Sequence, residues 1–207
     1  MHPKLKRCFS CGQYANILFL LFAACAYVYY WSIKRHHVEI VALEIAAYTI
    51  ETAGFAFMLF SLINFWKIVR HRYLMKAAML VYLIVEAVVM ILDFNAESIP
   101  WFPANAMWMN IGHSIFSGVI LFTYLALEPK NTGLEVAIII SEIIVFAGML
   151  SVVFHLQVYL TRFANSIAYV VFFSILRFLH AQERIMIDCH GDRAREVKYR
   201  SDFFDDI

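Results

Sequence analysis

Five carboxylates, Glu44, Glu51, Glu86, Glu135 and Glu142, lie inside apolar stretches long enough to cross a bilayer. A charge at that depth is costly, so each needs a counter-charge, a water-lined cavity or a proton of its own. At about 1.5 Å rise per residue, Glu51 lies about 18 Å from one end of its stretch and Glu142 about 14 Å from the opposite end of its own. Glu86 reaches a similar depth. Residues seven apart share a helix face, so Glu44 lies over Glu51 and Glu135 over Glu142. Such acid stripes suit a path for protons, cations or a small solute, because a buried acid that gives up its proton can take a cation in exchange. The competing reading is structural: protonated glutamates hydrogen-bond across helices and hold a bundle together. His113, with Asn110 one turn before it, completes the candidate path as a proton relay or a partner for a glutamate. Its competing reading is polar packing.

The elements that must position these residues are transmembrane helices. Of 207 residues, 62% are hydrophobic and only 16% charged, whereas a soluble domain carries about a quarter charged residues. A soluble fold of this size has too much surface to cover for that composition. The apolar residues fall in blocks at 14–33, 39–65, 74–93, 106–127, 134–155 and 160–180. Each is about 20 residues, enough for a hydrocarbon core of about 30 Å. The expectation is an all-α, polytopic membrane protein with six transmembrane helices. Residues 1–13 form a cytosolic lead, 14–180 the bundle and 181–207 a cytosolic tail, with no separate soluble domain. The sixth helix is expected to run on through Ile187 and stop before Gly191, a C-cap residue.

Basic residues set the orientation. With both termini cytosolic, 14 of the 17 Lys and Arg residues fall inside, and only Lys34, Arg35 and Arg162 outside. The first span has a basic start and a small-residue sequence at Ala24-Cys25-Ala26 that resembles a signal-peptide cleavage site. The apolar run nevertheless continues through Tyr27–Trp31 without a polar break, so an uncleaved span with an aromatic belt is the preferred reading. Pro100, Trp101, Phe102 and Pro103 mark an outer loop, and Pro129 an inner turn.

The second and fifth spans match at an offset of 91 residues, 43–59 against 134–150. Glu44 aligns with Glu135 and Glu51 with Glu142. A duplicated three-span unit would make two inverted repeats, an arrangement that recurs in transporters with sites near the midplane. Coincidence is the alternative, since neither the first and fourth spans nor the third and sixth show a comparable match. The two sides of the Pro129 turn, 14–128 and 129–180, are also unequal.

Cys8-Phe9-Ser10-Cys11 has the spacing of half a zinc site, and Cys189 and His190 would have to complete it. That is not a known finger spacing, so Cys8 and Cys11 are read as acylation candidates and no metal is expected. Arg193, Arg195, Lys198 and Arg200 in the tail can hold anionic headgroups or serve only to orient the chain. Phosphate loops, nucleophile elbows, zinc-protease helices and dinucleotide-binding glycines are absent, so no enzyme activity and no cofactor are expected. A net charge of +1 gives no reason to expect nucleic acid. The expected partner is the lipid bilayer, with a second copy of the chain or other membrane proteins as further candidates. Ser114 and Gly118 offer small-xxx-small packing for a dimer. Two functions fit: a transporter or channel using the glutamates, or a non-transporting organiser of other membrane proteins.

Overall fold

The computed structural model describes residues 3–37, 40–68, 73–94, 102–124, 127–128, 132–153, 158–182 and 186–187. Six helices dominate: α1 Pro3–His36, α2 Val41–Ile68, α3 Tyr73–Phe94, α4 Phe102–Thr123, α5 Thr132–Val153 and α6 Val158–Ala181. A two-residue ladder pairs β1, Leu127–Glu128, antiparallel with β2, Met186–Ile187.

The helix ends follow local chemistry. α1 stops where His37 takes a left-handed conformation, φ 54°, and its N–H closes onto the Ile33 carbonyl at 3.0 Å, as in a left-handed C-cap. α2 and α5 each carry an acid in the first turn, Glu44 and Glu135, where the helix N-terminus favours negative charge. Pro103, expected in a loop, lies in the first turn of α4, where a helix tolerates its missing N–H. The expected run of α6 through Ile187 is corrected: α6 ends at Ala181, and Met186–Ile187 pair with the segment after α4. The lead at 1–13 is helical from Pro3 onward, since α1 runs through it. Pro100, Trp101, Pro129, Cys189, His190, Gly191 and the basic tail positions lie outside the described residues.

The helices close a ring in chain order. α1 packs on α2 and α6, α3 on α2 and α4, and α5 on α4 and α6, with α4 also touching α6. One apolar core takes residues from alternating helix ends. Phe9, Met79 and Leu134 come from the starts of α1, α3 and α5, and Phe65, Tyr124 and Leu176 from the ends of α2, α4 and α6. Helix direction therefore alternates around the ring. Tyr124 is the centre of this core, stacked on Phe65 at 4.6 Å and edge-on to Phe172 at 5.1 Å and Phe173 at 5.7 Å. Such ring pairs contribute about 0.5–1.5 kcal/mol each beyond their buried area.

The outward faces are apolar too. Ile45, Ile139, Ile143 and Phe178 are each more than half exposed. A soluble monomer rarely exposes so much apolar surface, and a bilayer removes the cost. By length and composition, four helices among the described residues are long and apolar enough to cross a membrane: Leu5–His36, Val41–Lys67, Thr132–Ser151 and Leu160–Ala181. The apolar part of α4, Asn110–Thr123, is shorter. This pattern fits a membrane-embedded protein.

Candidate functional site

Helix periodicity gathers the polar side chains at one place beside the aromatic core. α6 presents Arg162, Asn165, Ser166 and Tyr169 at i, i+3, i+4 and i+7, which is one helix face. α3 adds Tyr82 and Glu86, α4 adds His113 and Ser117, α2 adds Glu51 and α1 adds Asn16, and together they line a cavity of about 40 Å³. At roughly 10–15 Å³ per water, it has room for about three waters.

Two ion pairs meet there. His113 Nε2 lies 2.6 Å from Glu86 Oε1, joining α4 to α3. Arg162 Nη1 lies 3.6 Å from Glu51 Oε1, joining α6 to α2. The side chains of Glu51 and Glu86 are 7% and 11% exposed, so both acids have left solvent and each lies beside a basic side chain. The Arg162 guanidinium also lies over the Phe22 ring, 5.3 Å from its centroid, a contact that suits a weakly hydrated cation.

Neutral hydrogen bonds fix the frame around these charges. Ser114 Oγ donates to the Asn110 carbonyl at 2.9 Å and accepts from Asn165 Nδ2 at 3.1 Å. Tyr169 donates to the Ser117 carbonyl at 2.5 Å. Asn165 Oδ1 is a buried acceptor with no hydrogen-bond partner among the described residues. Buried polar atoms are rarely left unpaired, so this acceptor invites a donor from the cavity. With both carboxylates ionised, Glu51, Glu86 and Arg162 sum to −1, and a proton on His113 brings the four groups to neutrality.

The structure brings Glu51, Glu86 and His113 to this cavity and places the other sequence candidates elsewhere. Glu142 is not among the lining residues. Its carboxylate lies against α4, with Oε2 only 2.9 Å from where a Cβ on Gly118 would stand, and its Oε1 is buried without a hydrogen-bond partner among the described residues. Glu44 accepts a hydrogen bond from the Tyr29 hydroxyl at 3.2 Å. Glu135 is exposed in the first turn of α5. Ser114 and Gly118 both face into the bundle, one bonded to Asn165 and the other against Glu142. Cys8 is fully buried, its thiol 3.3 Å from the Ser61 carbonyl, so acylation there requires α1 to leave its place. Cys11 is partly exposed. No group of three potential metal ligands comes together among the described residues.

Arg162 is a site residue that sequence reasoning did not single out. Read from the sequence as an orientation charge, it lies in α6 with its guanidinium beside Glu51 and its side chain 15% exposed. The signal was present: Arg162, Asn165, Ser166 and Tyr169 repeat at helical spacing inside an apolar run. No family model matches the chain, and no curated protein and no solved structure matches it.

Proposed function

We propose that the chain is a six-span membrane protein that moves protons through the Glu51–Arg162 and Glu86–His113 cluster, with both termini cytosolic. The observation that carries this reading is the convergence of two buried ion pairs on one cavity. A site whose charge changes from −1 to neutral with one proton is suited to bind and release protons at bilayer depth. Size and pairing favour the proton over the other cargoes considered. A cavity of about 40 Å³ is far below the roughly 300 Å³ of a small-molecule site. A metal cation would have to displace Arg162 or His113 from the carboxylate that each one holds. Removing Arg162 from the outer segments changes the basic distribution from 14 against 3 to 14 against 2, so the inferred orientation is unaffected.

One observation favours the rival reading of a non-transporting organiser. The layer built on Tyr124, Phe65, Phe172 and Phe173 fills the bundle beside the cavity, as a purely structural bundle would. A transporter must open that layer. Purified protein in liposomes, with a pH dye inside and a potassium potential imposed by valinomycin, separates the two. Under the proton reading the lumen acidifies faster than in protein-free liposomes, and Glu86→Gln abolishes the excess. Protein-loaded liposomes no leakier than empty ones would favour the organiser.

A further inference from the structure

A second pocket, of about 410 Å³, lies between the start of α1 and the end of α6. It shares no residue with the ion-pair cavity. Lys6 and Gln13 come from α1, and Ser174, Arg177 and His180 from α6. Among the described residues no carboxylate lines it, and neither Lys6 nor Arg177 forms a salt bridge. Arg177 donates to Gln13 Oε1, and Gln13 Nε2 donates to Ser174 Oγ at 2.7 Å. This chain ties the guanidinium to the pocket wall.

His180 forms part of the pocket wall. It is only 4% exposed, yet neither Nδ1 nor Nε2 has a hydrogen-bond partner among the described residues. Its ring is held edge-on to Phe9, centroids 5.9 Å apart. Both ring nitrogens are themselves buried away from the pocket space, so the ring shapes the wall while Lys6 and Arg177 supply the charge. The helix ends do not supply the recognition, because the α1 N-terminus favours an anion and the α6 C-terminus opposes it. The side chains must do so.

We infer that this pocket binds a phosphate-bearing anion, with Lys6 and Arg177 as charge partners and Gln13 and Ser174 holding the guanidinium in place. Arginine suits the fork geometry of phosphate oxygens, and lysine adds a point charge. Basic pockets between membrane helices take lipid headgroups, and free phosphate offers the same chemistry.

The test uses the full chain purified in a neutral detergent and two probes, phosphatidic acid and inorganic phosphate, with phosphatidylcholine as control. Binding is read by native mass spectrometry for the lipids and by thermal shift for phosphate. Saturable binding of phosphatidic acid but not phosphatidylcholine identifies a lipid headgroup, and saturable stabilisation by phosphate alone identifies a free anion. Either result supports the site if Lys6→Gln weakens binding at least about fivefold and Arg177→Gln about tenfold or more. Lys6 is exposed, so its variant keeps the test decisive even where the Arg177 variant fails to fold. Failure of both probes to bind, or unchanged binding in Lys6→Gln, overturns the proposal.

Discussion

At the scale of single residues, the site rests on two pairs whose members need each other. Glu51→Leu leaves Arg162 buried without its carboxylate and is expected to cost about 3–5 kcal/mol, read as a lower melting temperature. Glu51→Gln keeps shape and hydrogen-bonding capacity and should cost clearly less. For Glu86 and His113, 2.6 Å apart, a double-mutant cycle with Glu86→Gln and His113→Gln should return a coupling of about 0.5–3 kcal/mol. Additive losses would mean that the pair is not energetically linked. The sequence showed which acids were unusual, because an apolar background makes a glutamate conspicuous. It did not show which acids had partners. Glu51, Glu86 and Glu142 look alike by depth, yet among the described residues only the first two reach a basic side chain, and that depends on how the helices rotate. Arg162 was hidden by its place near a span end, where a basic residue reads as an orientation signal.

At the scale of helices, close approach depends on small residues. A Cβ at Gly148 would stand 2.4 Å from Ala164 Cβ, between α5 and α6. Ala164 has no side chain that can swing away, so Gly148→Ala must push the two helices apart, at about 1–3 kcal/mol. A Cβ at Gly112 meets nothing within 4 Å. Gly112→Ala in α4 should therefore be neutral or stabilise by about 0.4–1 kcal/mol through the unfolded chain. Equal melting temperatures for the two variants would contradict the packing described here. The same scale bears on the 91-residue match. Glu44 and Glu135 both sit in first turns, where helix electrostatics alone favours an acid. Gly54 packs α2 on Phe19 of α1, but its offset counterpart is Val145. Gly148 packs α5 on α6, but its counterpart is Phe57. The close contacts do not follow the offset. Helix positions were legible because apolar runs of this length have few alternatives. The end of α6 was not, since pairing of Met186–Ile187 with Leu127–Glu128 is a long-range contact that no local pattern announces.

At the scale of the whole molecule, alternating helix direction and an apolar exterior fit a bundle whose helices cross the bilayer in turn. Single-cysteine labelling in intact cells tests the proposed orientation. Asn95→Cys should react with an impermeant maleimide, and Ser201→Cys should react only after permeabilisation, each in a background lacking the native cysteines. Labelling of the tail from outside would reject both the six-span count and the direction. The ring order of the helices was not legible in the sequence, because most of the helices are apolar on nearly every side and do not name their neighbours. The proton reading depends on that ring, which brings α2, α3, α4 and α6 to one cavity. Its most direct test is to measure proton flux in liposomes and melting temperature for Gln and Leu variants at both Glu51 and Glu86. Gln removes titration and keeps shape and hydrogen bonding, whereas Leu removes all three. The account predicts that Gln abolishes flux as fully as Leu does, while stability falls mainly with Leu. Gln variants with wild-type flux beside Leu variants that unfold would contradict it and leave the two acids as structural glue.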